Sequence, residues 1–295
     1  MKVFVTGATG FIGTAVVREL QNNGHQVIGL ARSDKAAKLI ENLGAYVHRG
    51  SLEDQESLYK GAVSADGVIH LAFNNNSFDN FDKVILTDQL AIETIGKALI
   101  GSGKPFISTS VTTMLESNGN PATEDTKAVE GTPGFPRSKA ENLVISLAQQ
   151  GVRSAIIRLA PCVHDNSNQG FVTALSHLAN EKGMSAYVNE GSNHWPAIHR
   201  NDAATLFRLA LESTPAGAIL HGVNEEGILF YNIAKAVGRK LNLPIRSISN
   251  ENIVSHFGWL ANFVTFDNLV SSKKTQALLN WKPKGDSLIS DIENF

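Results

Sequence analysis

The sequence is poor in features that mark several classes of protein. It has one cysteine, Cys162, in 295 residues, which excludes a disulfide framework and argues against a cysteine-rich zinc site. No apolar run approaches the roughly 20 residues of a membrane-spanning helix. The formal net charge of −2 gives no indication of a nucleic acid or an anionic membrane as partner. Since the first residues follow a strand pattern and not a signal-peptide pattern, we expect a cytoplasmic protein. We also expect no bound metal.

What the chain does have is a regular alternation of short apolar strands and amphipathic helices, with hydrophobic residues at 42%. This alternation predicts a parallel sheet with right-handed crossovers. The strands are apolar throughout, as in sheets that helices cover on both faces. We predict strands at 2–6, 26–31, 46–48, 67–71, 105–109 and 152–158, and helices at 11–23, 34–43, 55–61, 84–101 and 138–150.

A glycine-rich turn follows the first predicted strand. Gly7, Gly10 and Gly13 are spaced by three and stand between strand 2–6 and helix 11–23. In that context the glycines allow a tight turn, a close approach of the backbone to a pyrophosphate, and close packing of helix on strand. Free N–H groups and the helix dipole then attract the phosphates. The pattern predicts a Rossmann-type dinucleotide site, with cofactor contacts from Gly7, Thr9, Gly10, Phe11, Ile12 and Gly13.

The end of the second predicted strand indicates which dinucleotide is bound. An NAD-selective site usually has an acid there, which binds the ribose 2′-hydroxyl. Here Ala31 takes that place, and Arg32 and Ser33 follow. A guanidinium pairs well with a 2′-phosphate through charged hydrogen bonds. We therefore predict NADP, with contacts from Arg32 and Ser33, while Asp34 leaves NAD as the alternative.

Beyond Leu159 the regular alternation ends. Residues 1–160 are interpreted as the Rossmann core, and residues 161–295 as a mixed α/β region with a smaller substrate-binding lobe, the two packed as one structural unit. Helices are predicted in the second region at 170–182, 202–212, 230–241 and 250–257. The expected fold class is α/β, a doubly wound parallel sheet with helices on both faces and a small C-terminal lobe.

Several stretches resemble the extended short-chain dehydrogenase/reductase superfamily, also called the NAD(P)-dependent epimerase/dehydratase family. They are the glycine turn and residues 66–72, 158–161, 199–204 and 278–283, so the resemblance spans nearly the whole chain. It implies the same fold and an NAD(P) cofactor. It also implies cofactor contacts from Leu52 at the adenine, Leu71 and Ala72 at the phosphates and ribose, and Pro161 and Val163 at the nicotinamide.

The catalytic pattern of that family is incomplete here. The family uses a tyrosine four residues before a lysine, so that the phenol exchanges a proton with the substrate while the lysine holds the ribose. Lys139 fits the lysine, but Phe135 stands in place of the tyrosine. The resemblance implies a cofactor-binding and catalytic role for Lys139. It also implies that Ser110 or Thr112 binds the substrate oxygen, although Val111 is a candidate for the usual serine position.

The missing phenol leaves three explanations open. Another side chain supplies the proton, or water or a histidine acts as the acid in a hydride transfer, or the protein binds nucleotide without catalysis. His164, close to Pro161, is the leading candidate acid, because histidine titrates near neutral pH. Substrate contacts are expected around a pocket wall from Phe135, Arg137, His194, Trp195 and His199.

We therefore predict an atypical NADP-dependent oxidoreductase that acts on a small carbonyl compound, with a proton that does not come from the usual tyrosine. The expected partner is this small-molecule substrate, and the protein is expected to be a monomer or a homodimer. The alternative is a non-catalytic NADP-binding regulatory protein. A sugar-nucleotide epimerase or dehydratase is disfavoured, because Trp195 and Pro196 stand where such family members carry an Arg-Asp pair.

Overall fold

The computed structural model describes residues 1–74, 80–167 and 170–294. The strands in these ranges are β1 (Lys2–Thr6), β2 (Gln26–Ala31), β3 (Tyr46–Arg49), β4 (Gly67–His70), β5 (Pro105–Val111), β6 (Arg153–Leu159), β7 (Cys162–His164), β8 (Ser185–Val188), β9 (His194–His199), β10 (Ala218–Gly222), β11 (Glu225–Leu229) and β12 (Ile245–Ile248). The helices are α1 (Phe11–Asn22), α2 (Asp34–Asn42), α3 (Gln55–Val63), α4 (Phe81–Leu99), α5 (Ser138–Ser146), α6 (Phe171–Lys182), α7 (Arg200–Ser213), α8 (Phe230–Leu241), α9 (Ile253–Phe257), α10 (Ala261–Val264), α11 (Lys273–Leu279) and α12 (Leu288–Asn294). None of the helices formed by these residues has both the length and the apolar character needed to cross a bilayer.

The central sheet has seven parallel strands in the order β10-β6-β5-β4-β1-β2-β3. Phe4 of β1 lies beside Ile28 of β2 and Val68 of β4, so β1 is flanked by a strand that follows it directly and by one that follows much later. The strand order reverses at this point, between β1 and β4. Doubly wound sheets bind their ligands outside the carboxyl ends of the strands at such a reversal. The predicted fold class is confirmed.

Helices cover the sheet on both faces, as the apolar strands predict. Val5 points to the face on which Leu20 of α1 and Phe207 of α7 are buried. The neighbouring Phe4 points to the opposite face, where Leu58 of α3 and Ile92 of α4 are buried. Side chains alternate across a strand, so two apolar layers stabilise the sheet and fix the glycine turn at the end of β1.

The edge strand β10 has no counterpart among the predicted elements. Ala218–Gly222 pairs in parallel with β6, and Leu220 lies beside Ile157. The region assigned to residues 161–295 therefore contributes a strand to the sheet of residues 1–160, and its helix α7 packs against α1. β10 is short, and another strand and not a helix follows it directly. The strand–helix alternation therefore did not predict this strand.

The rest of the second region forms a lobe with its own core. β7, β9 and β11 make a three-stranded sheet, and β8 pairs with β12. Trp195 lies in the middle of this lobe, 2% exposed, between the rings of Phe171 and Phe230. Its indole Nε1 donates to the carbonyl oxygen of Phe263 at 3.0 Å. Trp195 is therefore a core residue of the lobe and does not form the pocket wall expected from the sequence.

Candidate functional site

The glycine turn has the backbone that a pyrophosphate site requires. Gly7 has φ of +72°, and a Cβ at this position would lie 2.7 Å from the backbone nitrogen of Ala72. A Cβ on Gly13 would lie 2.0 Å from the carbonyl oxygen of Gly7. Gly10 is the N-cap of α1 and has no side chain to cap that helix, whose first N–H groups have no partner within the helix itself. The turn fits a dinucleotide pyrophosphate bound at the start of α1.

A cleft of about 1500 Å³ opens at the carboxyl ends of the central strands. The turn and the strand ends form one side, and the start of α4, helix α6 and residues 255–260 form the others. The predicted cofactor residues that border it are Gly7, Thr9, Gly10, Phe11, Ile12, Gly13, Arg32, Leu52, Leu71, Ala72, Pro161 and Val163. Ser110 and Arg137 also border it. The predicted site residues that do not are Ser33, Thr112, Phe135, Lys139, His164, His194, Trp195 and His199.

The three residues after β2, Arg32, Ser33 and Asp34, make different contacts. Ser33 caps helix α2, because its hydroxyl accepts from the backbone N–H of Ala36 at 3.2 Å, and it does not reach the cleft. Asp34 forms an ion pair of 2.8 Å with Arg49. Arg32 is exposed and borders the cleft. Ala31 thus stands where an acid would bind a ribose 2′-hydroxyl, a cation follows it at the cleft, and the nearby acid is paired with Arg49.

Near the start of α5, Arg137 takes the place expected for Lys139. Arg137 is 8% exposed and borders the cleft, whereas Lys139 is exposed to solvent away from it. Phe135–Arg137 form a 3₁₀ turn that leads directly into α5. Residues two apart on a helix lie about 200° apart around its axis, so Arg137 and Lys139 face opposite sides. Phe135 is half-buried in the same turn and does not border the cleft.

The guanidinium of Arg137 is held at the cleft wall by three contacts. Nη2 donates to the carbonyl oxygen of Thr109 at 2.8 Å and lies 3.5 Å from Oδ2 of Asp88. The guanidinium carbon lies 4.2 Å from the ring centroid of Phe73, a cation–π contact. Within the described residues Nε has no hydrogen-bond partner. A permanent cation with N–H groups to spare can bind a carbonyl oxygen or an anion at this wall.

Asp88 connects Arg137 to a buried chain of polar groups, a role that the sequence analysis missed. Its Oδ1 lies 3.1 Å from Nε2 of His70, whose Nδ1 lies 2.7 Å from Oγ1 of Thr6. Burial opposes the ionisation of Asp88, but the charge of Arg137 and the hydrogen bond with His70 outweigh it and lower the pKa of the carboxyl below its ordinary value. Asp88 is therefore a buried carboxylate. An acid near the middle of an otherwise apolar helical face was the available signal.

Of the two hydroxyls expected to bind substrate, Ser110 is at the cleft and Thr112 is not. Ser110 is 2% exposed, and its Oγ has no hydrogen-bond partner among the described residues. Thr112 donates to Oδ1 of Asn268 at 2.8 Å, and this pair ties β5 to the C-terminal part of the chain. His194 is similarly engaged, with Nδ1 2.8 Å from Oδ1 of Asp267. Thr112 and His194 thus have structural partners in place of a substrate.

His164, the leading candidate acid, points away from the cleft. Its Nδ1 donates to Oδ2 of Asp291 in α12 at 2.6 Å, and Glu225 lies 4.0 Å from Nε2. Nε2 of His199 lies 4.0 Å from Asp291 on the same side. Burial lowers the pKa of His164, although the two carboxylates act in the opposite direction. These histidines belong to the contact between the C-terminal helix and the lobe, because β7 and β9 run beside each other with paired ends.

The part of the cleft formed by α6 and residues 255–260 combines aromatic and aliphatic side chains with polar and charged ones, and it includes residues that the sequence analysis did not select. Phe171 is the first residue of α6 and packs edge-on against Trp259, with ring centroids 5.6 Å apart. The other apolar members of this part are Ala174, Leu178, Phe257 and Leu260, and the polar and charged members are Thr173, His177, Glu181, Lys182, Ser255 and His256. Aromatic residues at the start of α6 and in residues 255–260 were the signal, but only the fold brings these segments to one cleft.

The model of the NAD dependent epimerase/dehydratase family matches residues 3–224. The chain belongs to this family. Its members are NAD(P)-dependent, in agreement with the turn and the cleft described above. An uncharacterised protein of Schizosaccharomyces pombe is 44% identical over 292 residues, which cover 99% of this chain and 98% of that protein.

Two further similarities concern proteins with named activities. The sterol-4-alpha-carboxylate 3-dehydrogenase (decarboxylating) of Dictyostelium discoideum is 30% identical over 243 residues, covering 77% of this chain and 73% of that protein. Among solved structures, the dTDP-glucose 4,6-dehydratase of Streptomyces venezuelae with NAD bound superposes with a TM-score of 0.78 at 17% identity, covering 99% of this chain and 95% of the other. The second similarity concerns the fold alone.

Proposed function

We propose that the protein is an NADP-dependent reductase of a small, largely apolar carbonyl compound, and that Arg137 binds the carbonyl oxygen. The observation that carries this proposal is the guanidinium at the cleft wall, 2.8 Å from the Thr109 carbonyl, in a family whose usual phenol is absent here. A positive group aimed at an oxygen that gains negative charge lowers the barrier to its reduction.

The cofactor preference rests on Arg32. It is exposed at the cleft beyond β2, while Asp34 is paired with Arg49. In the proposed complex Arg32 pairs with the 2′-phosphate, the turn from Gly7 holds the pyrophosphate, and Pro161 and Val163 contact the nicotinamide side. When bound, the reduced cofactor supplies a hydride to the carbonyl carbon.

Arg137 stabilises the developing alkoxide but does not protonate it, because a guanidinium stays charged at all physiological pH values. Ser110, the residue after Thr109, adds a hydroxyl beside the same oxygen. Solvent water that enters the open cleft supplies the proton, which is one of the alternatives that the missing phenol left. Lys139 and His164 take no part in the proposed reaction, since neither borders the cleft.

The aromatic side chains at the cleft support the substrate class. Phe73, Phe171 and Trp259 offer aromatic surface to the non-reacting part of a substrate. The Dictyostelium relative is named for a sterol carboxylate, which is also a largely apolar substrate.

The test follows NADPH absorbance with aliphatic, aromatic and quinone carbonyl compounds, and with a nucleotide sugar as comparison. We expect turnover with an apolar carbonyl compound, and Arg137→Gln is expected to lower kcat/KM about 100-fold. Arg137→Lys keeps the charge but loses the planar fork, and an intermediate loss is expected. Arg18→Gln, an exposed position on α1, serves as the control. Tight NADPH binding without turnover across the panel would instead favour the regulatory protein.

A further inference from the structure

The polar chain between the glycine turn and Arg137 has a defined direction. The backbone N–H of Ala72 donates to Oγ1 of Thr6 at 3.3 Å, and Thr6 contacts Nδ1 of His70 at 2.7 Å. At the other end, Asp88 is a carboxylate and can only accept. Nε2 of His70 must therefore carry a proton. In the neutral ring, which lies between β1 and α4, Nδ1 then accepts the proton of Thr6.

Oδ1 of Asp88 accepts a hydrogen bond, whereas Oδ2 has no hydrogen-bond partner among the described residues. Oδ1 accepts from His70 at 3.1 Å, and Oδ2 faces Nη2 of Arg137 at 3.5 Å. The second distance is longer than a normal hydrogen bond, so the attraction there is mainly between charges. All members are buried: Thr6 is 0%, His70 1% and Asp88 2% exposed. Since few waters screen them, the charges of Asp88 and Arg137 interact strongly.

The chain starts at the backbone against which the cofactor turn packs. A Cβ on Gly7 would lie within 3.0 Å of three backbone atoms of residues 71 and 72, so this turn packs closely against the residues that follow β4. The chain ends at the cation on the cleft wall. It therefore links the position of the pyrophosphate turn to the position of Arg137 through three side chains.

We infer that Asp88 is a positioning residue of this site. Its carboxylate holds the Arg137 guanidinium in a fixed position relative to the cofactor turn, through the Thr6–His70 chain. The inference rests on the proposed function in one respect, that Arg137 binds the substrate oxygen. Asp88 itself touches no substrate in this scheme. Its effect on turnover passes entirely through the placement of Arg137.

A second buried carboxylate–arginine pair in the same molecule offers a matched control. Glu141 is 4% exposed and accepts from Nη2 of Arg158 at 2.6 Å and from Nε at 3.1 Å. Neither residue borders the cleft. This pair has the same chemistry as Asp88 with Arg137, but it ties α5 to β6, and Nη1 of Arg158 also donates to the carbonyl oxygen of Thr126 at 2.9 Å. Its shortest contact, 2.6 Å, is closer than the 3.5 Å between Asp88 and Arg137.

The experiment compares Asp88→Asn with Glu141→Gln, each isosteric with the residue it replaces. An asparagine offers one acceptor and one donor, so it satisfies His70 or Arg137 but not both. We expect Asp88→Asn to lower kcat about 10- to 100-fold, as a misplaced catalytic group does, with a much smaller change in KM. In the Arg137→Gln background the same change is expected to cost nothing further, because coupled residues are not additive. Glu141→Gln should lower the melting temperature without changing kcat beyond about threefold.

Two readouts in the protein without cofactor complete the test. Nitrogen-15 NMR of the wild type should show the Nε2–H tautomer of His70, and resolved side-chain N–H signals of Arg137 that broaden in Asp88→Asn. Neither measurement needs a carbonyl compound that is turned over, and the tautomer of His70 is measured on the wild type, so it is obtained even if Asp88→Asn fails to fold.

The outcomes separate the two proposals. A neutral His70 ring with its proton on Nδ1, or a normal kcat in a destabilised Asp88→Asn, would show that Asp88 is structural only and overturn this inference. A normal kcat/KM in Arg137→Gln would overturn the proposed oxygen-binding role instead. A loss in Arg137→Gln without a loss in Asp88→Asn would leave the proposed function intact and remove Asp88 from it.

Discussion

The molecule has two buried histidine–aspartate pairs that look alike in isolation and differ in what surrounds them. His70 ends β4 and lies 3.1 Å from Asp88, and His164 ends β7 and lies 2.6 Å from Asp291. All four residues are at most 4% exposed. The first pair borders the cleft and has Arg137 beside its carboxylate, whereas the second fastens the C-terminal helix α12 to the lobe.

The difference teaches that burial and a close carboxylate do not make a histidine catalytic. The pair of His164 and Asp291, called the terminal pair below, even has the shorter contact. What distinguishes the pair at the cleft is the third partner, a cation that reaches the cleft wall and has N–H groups left for a ligand. The predictions below test this division between a pair that acts on turnover and a pair that acts on stability.

The largest expected effect is on stability, at the terminal pair. Asp291→Asn removes the charged acceptor of His164 and weakens the docking of α12, so we expect a loss of about 2–3 kcal/mol in the free energy of unfolding. Urea denaturation measures it, and kcat/KM should stay within about threefold because the site is remote from the cleft. A large fall in kcat/KM with little loss of stability would reverse the comparison and restore His164 as a candidate acid.

The cleft side should show the opposite pattern, in which ligand binding changes and stability does not. Arg32→Ala is expected to weaken NADPH binding about 10- to 100-fold, since it removes charged hydrogen bonds to the 2′-phosphate. NADH, which lacks that phosphate, should be affected little. Fluorescence titration of both cofactors measures the ratio. Equal weakening of NADPH and NADH would contradict the assignment of Arg32, and Arg49→Ala at the neighbouring ion pair is the control.

The cofactor side of the cleft was predictable from the sequence because its requirements are local. Strands β1 and β2 have the predicted bounds, and the glycine turn between strand and helix stands where the spacing placed it. The backbone of such a turn allows only glycine at positions such as Gly7 and Gly13, so the pattern reports the geometry directly.

The catalytic side was not predictable because it depends on distant partners and on helix phase. His164 and Asp291 are 127 residues apart, and nothing near His164 in the sequence indicates which side of the strand meets α12. For Arg137 and Lys139, the deciding fact is that α5 starts at Ser138 after a 3₁₀ turn. A shift of one residue in that start would rotate each side chain by about 100°.

The dependence of stability on pH is a smaller test of the terminal pair. The pKa of His164 is lowered by burial, so below the ordinary value of 6.5 the unfolded chain binds a proton that the folded chain does not. Stability from this group is therefore complete above pH 6.5 and is lost as the pH falls toward the folded pKa. Burial also lowers the pKa of His221, to about 4, and it acts in the same direction.

His164→Asn separates these two contributions. The variant should lose part of the fall in stability between about pH 7.5 and pH 5, whereas the part due to His221 remains. Urea denaturation of both proteins across this range measures the difference in slope. Parallel curves for the variant and the wild type would mean that His164 titrates alike in the folded and unfolded chains.

The smallest effect is expected at the position that departs from the family pattern. Phe135→Tyr restores the phenol, but residue 135 is half-buried in the turn before α5 and does not border the cleft. A hydroxyl on a partly exposed ring should change stability by less than about 0.5 kcal/mol. For the same reason kcat and KM should stay within about twofold, because the added group cannot reach the oxygen beside Arg137. A tenfold rise in carbonyl reduction would show that position 135 enters the cleft when the cofactor binds, and it would transfer the proton-donating role from water to this turn.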